Sequence, residues 1–226
     1  MEVEIEALLA LTLKAIDLFN NVWILKPPYS SDYNYVRLLT HIIKNLTAEA
    51  SSQITQRAME IFGGIGFLKD FPIEKWHREA LITPIWEGTS NIQALDMLEA
   101  IIKKEAHLKM LEDLESIRVD TYNKELASRA YELVKDNLSI LNKGNRYTVE
   151  FYAKDVLRGL GYAVAVLNLL DISKRLNDEM YSLIADLYYQ LKILGGIKRI
   201  PEKKYIDHIL SLRRGLDADT SKHLIS

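Results

Sequence analysis

A long, regular stripe of apolar residues between Val36 and Ile61 constrains the fold of this sequence more than any other feature. The apolar positions recur every three or four residues for about seven turns, which is the period of one face of an α-helix. Gly63-Gly64 follows at once, and glycine readily adopts the left-handed backbone that closes a helix. The members of the stripe are Val36, Leu39, Ile43, Leu46, Ala50, Ile54, Ala58 and Ile61. The sequence therefore predicts one long helix that ends at the glycine pair.

Shorter segments on both sides of this helix show the same period. A first helix is expected over about Val3–Val22, where two apolar stripes predict burial on two sides. Pro27-Pro28 ends it, because proline cannot continue a helix. A brief helix is expected at Ile73–Ala80, and another from Thr89 or Ser90. Either of these two hydroxyls is a suitable N-cap.

The helix that starts there is expected to continue through a single apolar stripe. The stripe consists of Ile92, Leu95, Leu98, Ile102, Ala106 and Met110. Further helices are expected over about 123–142, 148–176, 178–194 and 202–214. No segment of useful length alternates apolar and polar residues as a strand does. The predicted fold class is therefore all-α.

Composition excludes several kinds of function. The net charge of −2 gives no reason to expect global attraction to nucleic acid or to an anionic membrane. The chain has no cysteine, which rules out disulfides and thiolate nucleophiles. Its start is acidic rather than basic, unlike a signal peptide, and no apolar run approaches the ~20 residues of a membrane span. We expect a cytoplasmic protein that has no membrane partner.

Glu87 is the carboxylate that attracts a chemical interpretation. It precedes a helix and has Gly88 beside it, so it suits a general base whose substrate approaches the backbone. An acidic residue near a helix N-terminus also stabilises the helix dipole by ~0.3–1 kcal/mol. Position alone favours this second interpretation, because acids near helix starts are common.

The glycine-rich segment from Gly63 to Gly66 is open to two interpretations as well. Its backbone N–H groups could face a phosphate, but a dinucleotide-binding loop needs a preceding strand, and here a helix precedes it. A helix C-cap followed by a tight turn explains the segment without any ligand.

The remaining polar and aromatic features are weaker signals. The five histidines are scattered without an i, i+4 pair, so no metal site is expected. Trp76 and Trp86 are expected in a core or an interface. Seven basic residues between Lys192 and Arg214 outnumber two acids. Such a segment either contacts phosphates or forms a solvated face, and the second is more usual.

Taken together, four short motifs resemble the C-terminal helical domain of the flavin-dependent acyl-CoA dehydrogenases over about residues 1 to 105. In order, they are Ala58-Met59-Glu60-Ile61-Phe62-Gly63-Gly64-Ile65-Gly66-Phe67, Asp70-Phe71-Pro72-Ile73-Glu74-Lys75, Arg78-Glu79-Ala80 and Ile85-Trp86-Glu87-Gly88-Thr89-Ser90-Asn91-Ile92-Gln93. Many members of the family have glutamine at the position of Glu60. This Glu60, Trp86 and the Leu95–Leu98 run are similar to the alkylation-response branch, whose members carry an extra C-terminal helical region and can bind DNA.

The resemblance implies a role for each matching residue. Glu87 corresponds to the base that removes the α-proton of an acyl-CoA thioester, and Gly88 lies beside the substrate. The flavin-contacting segment corresponds to Thr89, Ser90 and Asn91. The segment from Glu60 to Gly64, which includes Gly63, corresponds to a loop of the family. That loop meets the adenosine and pyrophosphate of an FAD held largely by a neighbouring subunit. No metal is implied.

The resemblance also implies an architecture and partners. Residues 1–109 are expected to form the family's four-helix bundle, and residues 110–226 a helical extension. The family's N-terminal helical and middle β domains have no counterpart here, so we expect an oxidoreductase part that needs a partner polypeptide and associates as a dimer or tetramer. The alternative is a helical binding or assembly module without chemistry, whose basic 192–214 segment would contact nucleic acid.

Overall fold

The computed structural model describes residues 1–142, 145–198, 203 and 206–207. Within this part of the chain the secondary structure is helical and contains no strand, which confirms the all-α prediction. The elements are α1 (Glu2–Asn20), α2 (Ser31–Phe62), a 3₁₀ helix (Gly63–Phe67), α3 (Pro72–Ile82), α4 (Ser90–Ile102), α5 (Ala106–Asp120), α6 (Lys124–Ile140), α7 (Arg146–Leu176) and α8 (Glu179–Lys192). The helix expected over 202–214 lies almost entirely outside the described residues.

The long predicted helix is α2. Its first turn is capped by the Ser30 hydroxyl, which accepts a hydrogen bond from the Tyr33 N–H at 3.2 Å. It ends at Gly63, whose φ of 65° lies in the left-handed region, as the glycine pair predicted. The helix packs against α1, α3, α4, α5 and α7, so one element positions most of the bundle.

The second central element is α7, which lies directly on α2. A side chain at Gly161 would bring a Cβ to 2.5 Å from Leu46 Cδ1 and 2.9 Å from Ile42 Cγ2 on α2. The close approach of the two helices therefore depends on this glycine. Among the described helices α7 alone has the length and apolarity of a membrane span, but 72% of its apolar window is buried in the bundle.

One continuous buried cluster runs through the bundle from Ala7 to Tyr188. It joins the helices within residues 1–109 to those of the expected extension, because α6, α7 and α8 contribute fully buried side chains to it. The boundary placed between residues 109 and 110 stays a prediction.

The expected helix through residues 92–110 is wrong in two respects. It breaks after Ile102, and Glu105 adopts a left-handed φ of 51° before α5 begins. Its buried face is also different, because Ile92, Leu95 and Ile102 are exposed. The residues of α4 that face the core are Gln93, Ala94, Met97, Leu98, Ala100 and Ile101.

Burial on both sides of α1 is likewise not achieved within the described residues. The stripe containing Leu8, Leu11 and Ala15 is buried. The members of the other stripe are between 44% and 56% exposed, and they are Ile5, Leu9, Leu13, Ile16 and Phe19. This face of α1 is an apolar surface.

A buried ion pair links α1 to α8. The Glu4 side chain is fully buried and accepts hydrogen bonds from Arg57 of α2 and Lys192 of α8. Burial raises the pKa of the Glu4 carboxyl, but Lys192 and Arg57 outweigh this effect and leave the pKa below its ordinary value. Lys192, one of the basic residues in the 192–214 segment, is therefore engaged inside the bundle.

Replacing Glu4 tests this ion pair. Because the folded-state pKa lies below the ordinary 4.5, the stabilisation is present above that pH and is lost as the pH falls through the folded-state pKa. Glu4→Gln should lower the free energy of unfolding by ~2 kcal/mol at pH 7 and flatten its decline below pH ~4.5. Urea unfolding across pH, with Glu2→Gln as the control on the same turn, measures both. Equal curves for the two variants would contradict the assignment.

Candidate active site

Glu87 lies in the connection between α3 and α4, and its backbone is unusual. Its φ of 55° is in the left-handed region, which costs a residue with a side chain about 1 kcal/mol or more. Such conformations persist where surrounding contacts hold them, and they concentrate at functional sites. The side chain itself is exposed, so the described residues do not provide the desolvated setting expected for a base.

Hydrogen bonds from α4 and α2 hold the Glu87–Gly88 backbone in place. Gln93 Nε2 donates to the Glu87 carbonyl oxygen at 3.1 Å, and Lys44 Nζ donates to the Gly88 carbonyl oxygen at 2.5 Å. The buried Gln93 is itself oriented by His41, whose Nδ1 lies 2.9 Å from Gln93 Oε1. Since the Gln93 amide nitrogen faces a carbonyl, its oxygen faces His41, so Nδ1 carries the ring hydrogen. We call His41, Lys44 and Gln93 the loop clamp.

Gly88 fits this arrangement only as glycine. Its φ is 93°, and a Cβ at this position would lie 2.5 Å from Gln93 Nε2, the atom that donates to Glu87. A side chain would therefore both strain the backbone and displace the clamp. The Gln93 amide thus occupies the space that a side chain at position 88 would need.

Thr89, Ser90 and Asn91 follow at the start of α4. Thr89 occupies the N-cap position but makes no side-chain capping bond. The Ser90 hydroxyl donates instead to Glu49 Oε1 of α2, at 2.9 Å. The prediction that either hydroxyl caps the helix is therefore wrong, because a tertiary carboxylate takes the Ser90 hydroxyl. Thr89 and Asn91 are exposed.

Glu60, Gly63 and Gly64 lie together at the C-terminal end of α2, and all three are exposed. The C-cap interpretation of Gly63 is confirmed by its φ of 65°. Gly64 needs neither a positive φ nor space, since a Cβ there would meet no atom within 4 Å. Nothing in the described fold therefore requires glycine at position 64.

The structure does not bring the two groups of predicted site residues together within one chain. The Gly88 carbonyl oxygen meets α2 at Lys44 and the Ser90 hydroxyl meets it at Glu49, whereas Glu60 lies about 11 to 16 residues further along the same helix, a rise of about 16–24 Å. A cavity of about 760 Å³ lies elsewhere, between the start of α6, the end of α7 and the first half of α8, and none of the predicted site residues lines it.

Large apolar side chains surround both groups without being buried. Trp76 and Trp86 are 61% and 59% exposed. Of the two positions predicted for them, the core is therefore wrong within the described residues, and an interface stays a prediction. Others share this exposure along the 3₁₀ helix and the α3–α4 connection, namely Ile61, Phe62, Ile65, Phe67, Leu68, Leu81, Ile82 and Ile85. Contiguous exposed apolar surface marks an interaction site.

Sequence reasoning missed the loop clamp and Glu49. Gln93 entered only as the last residue of a motif, and His41, Lys44 and Glu49 were not singled out. The available signal was weak, because these three are among many polar residues on α2. Nothing in the spacing shows that they meet the α3–α4 connection, because that contact joins positions some 40 to 50 residues apart.

Comparison with known proteins shows what the N-terminal part of this chain is similar to. Residues 1–102 match the family model described as "Acyl-CoA dehydrogenase, C-terminal domain". The mitochondrial short-chain specific acyl-CoA dehydrogenase of Bos taurus is 35% identical over 103 residues, which are 46% of this chain and 22% of that protein. The cyclohexane-1-carbonyl-CoA dehydrogenase of Geobacter metallireducens is 40% identical over 63 residues, 28% of this chain and 17% of that protein. In sequence, residues 1–102 are therefore similar to the C-terminal domain of the acyl-CoA dehydrogenases.

Solved structures show that the likeness of fold extends further along the chain. Caenorhabditis elegans ACDH-11, solved in complex with C11-CoA, superposes with a TM-score of 0.70 at 21% identity, over 86% of this chain and 34% of that one. The apo form of Bd2924 superposes with a TM-score of 0.59 at 27% identity, over 74% and 31%. Since 86% exceeds the part matched by the family model, the fold shared with ACDH-11 includes helices beyond residue 102. The chain spans about a fifth of the two curated relatives named above.

Replacing Gly88 tests the clamped loop. Gly88→Ala should lower the free energy of unfolding by ~2 kcal/mol, because it strains a left-handed backbone and displaces the Gln93 amide. Gly64→Ala is the matched control: its site is open and its φ is not positive, so its effect should stay within about 0.5 kcal/mol. Denaturant unfolding measures both, and a Gly88→Ala protein as stable as the Gly64→Ala protein would contradict the geometry.

Proposed function

We propose that this chain supplies the base-bearing C-terminal part of a flavin-dependent acyl-CoA dehydrogenase. One observation carries the proposal. In a domain similar to those of this family, the loop clamp holds two adjacent residues with positive φ, the glutamate Glu87 and the glycine Gly88. The function is the α,β-dehydrogenation of an acyl-CoA thioester.

Glu87 is the catalytic base in this proposal. Its carboxylate accepts the proton from the α-carbon of the thioester, and the FAD supplies an acceptor for the hydride that leaves the β-carbon. An α-C–H is a weak acid, so the carboxylate must be aligned with it and shielded from water. The loop clamp provides alignment by fixing the carbonyl groups of Glu87 and Gly88, which are the two consecutive carbonyls after the Glu87 side chain.

Shielding from water must come from outside the described residues, because Glu87 is exposed. The exposed Trp86 and Ile85 beside it offer the apolar surface against which a further domain would pack. In this proposal the N-terminal helical and middle β domains cover the loop, whether a partner polypeptide or a longer chain supplies them. That closure also raises the strength of every electrostatic interaction at the base.

The residues present partly fit an FAD. Gly64, for which the fold has no need, leaves open space at the end of α2 where the resemblance expects the pyrophosphate and adenosine. The Glu60 carboxylate fits an anionic phosphate poorly unless it turns away, and it is exposed and free to do so. The separation of about 16–24 Å along α2 favours two different flavins, one at the Glu87 loop and one of a neighbouring subunit at Glu60–Gly64. A dimer or tetramer would provide both.

The test places the whole 226-residue chain after the N-terminal and middle domains of the bovine short-chain enzyme, in place of that enzyme's own C-terminal domain. The purified chimera should be yellow, and its flavin absorbance should bleach when a short acyl-CoA is added without oxygen. Glu87→Gln should retain the flavin and slow bleaching ~10²–10⁴-fold, the range expected for a general base. Glu79→Gln, an exposed acid on α3, is the control.

Each outcome of this experiment decides a part of the proposal. A Glu87→Gln chimera that bleaches as fast as the parent would show that Glu87 is not the base. A folded chimera without flavin would contradict the proposed contacts at Glu60–Gly64 and Thr89–Asn91.

A further inference from the structure

Glu49 of α2 receives hydrogen bonds from two parts of the chain that no motif connects. Arg158 of α7 donates from Nε to Glu49 Oε2 at 3.0 Å and from Nη2 to Oε1 at 2.8 Å, so the pair is bidentate. Ser90, the first residue of α4, donates its hydroxyl to the same Oε1 at 2.9 Å. Arg158 lies beyond the residues that match the family model. The extension is thus linked to the start of α4 through one carboxylate.

The surroundings of this carboxylate favour a stable link. The Glu49 side chain is only 17% exposed, so its carboxylate is largely sheltered from water, whereas the Arg158 side chain is 35% exposed. Burial raises the pKa of Glu49, but Arg158 and Ser90 outweigh it, and the pKa lies below its ordinary value. Glu49 therefore stays ionised at neutral pH, and a bidentate arginine–carboxylate pair has a defined geometry as well as strength.

The docking of α7 on α2 does not explain this pair. The neighbours of Arg158 on the core face of α7 are completely buried apolar residues, namely Val156, Leu157, Leu160 and Val164. Gly161 of the same face lies against Leu46 and Ile42 of α2, so the two helices approach there without any charge. The pair instead acts where it makes its third contact, at Ser90.

Ser90 is well placed to transmit this contact to the base. It is the third residue after Glu87, and its hydroxyl bonds to Glu49 rather than capping its own helix. Gln93, in the same first turn of α4, holds the Glu87 carbonyl oxygen. A shift of this turn would therefore move the amide that fixes Glu87.

We propose that Arg158 is a positioning residue, which acts through Glu49 and Ser90 to fix the first turn of α4 and the Glu87 loop. Its effect on turnover rests on the proposed function, whereas its effect on the loop does not. The helical extension would then complete the support of the site from the side of α2 that faces α7.

Amide hydrogen exchange on the chain alone tests the structural part. Arg158→Gln should raise exchange of the amides in residues 87–93 about 10-fold and leave α6 and α8 unchanged. Ser90→Ala should give a similar increase, and the double variant should add nothing, since both changes break one path. Arg158→Lys, which keeps the charge but loses the fork, should give an intermediate increase. Arg175→Gln, which loses an ion pair with Asp171 within the same helix, is the control.

The outcomes separate this inference from the proposed function. In the chimera, Arg158→Gln should lower kcat about 10-fold through a misplaced base, with little change in KM and no loss of flavin. Exchange that rises along α7 but not in residues 87–93 would overturn the inference and leave the role of Glu87 intact. Additive effects of Arg158→Gln and Ser90→Ala would overturn it as well. A third result is that the two changes raise exchange in residues 87–93 without adding, while the Glu87→Gln chimera remains active. The link between Arg158 and the loop would then stand, and the proposed function would be rejected.

Discussion

The close packing of α7 on α2 is the constraint on which the rest of this structure depends. It is possible because Gly161 has no side chain where Leu46 and Ile42 approach. With that contact made, the fully buried face of α7 draws the remaining helices into one continuous core. Glu49 of α2 also bonds to Arg158 of the same α7. The helix that organises the core therefore also carries residues that hold the site.

The polar face of α2 accounts for the unusual backbone at Glu87. His41, Lys44 and Glu49 lie within about 140° of the circumference of α2 at 100° per residue. Their partners are Gln93, the Gly88 carbonyl and Ser90, which all belong to the α3–α4 connection or the first turn of α4. A left-handed glutamate is unfavourable in isolation. Here the Lys44 ammonium and the buried Gln93 amide, each oriented by α2, hold the consecutive carbonyl groups of Glu87 and Gly88.

Helical periodicity predicted most of the elements, since the apolar spacing and the stop at Gly63 are local signals, although α1 ends at Asn20, before the proline pair. The errors have tertiary causes. Residues on both sides of α4 are apolar, so only the positions of α2 and α7 decide that Met97 rather than Leu95 is buried. The break at Glu105 contains no glycine or proline and was therefore missed. The capping prediction failed because Glu49, 41 positions away, accepts the Ser90 hydroxyl.

The apolar surfaces of this chain and its exposed base raise one physical problem. A carboxylate in water is solvated and gains little by taking a proton from carbon, whereas a covered carboxylate with a fixed backbone is poised to take it. The described residues provide the fixed backbone but not the cover. They do provide apolar surface beside the loop, on Trp86 and Ile85, and a second such surface on α1. The proposed domains would bury that surface and dry Glu87 in the same step. Association and activation of the base would then share one driving force, the removal of apolar area from water.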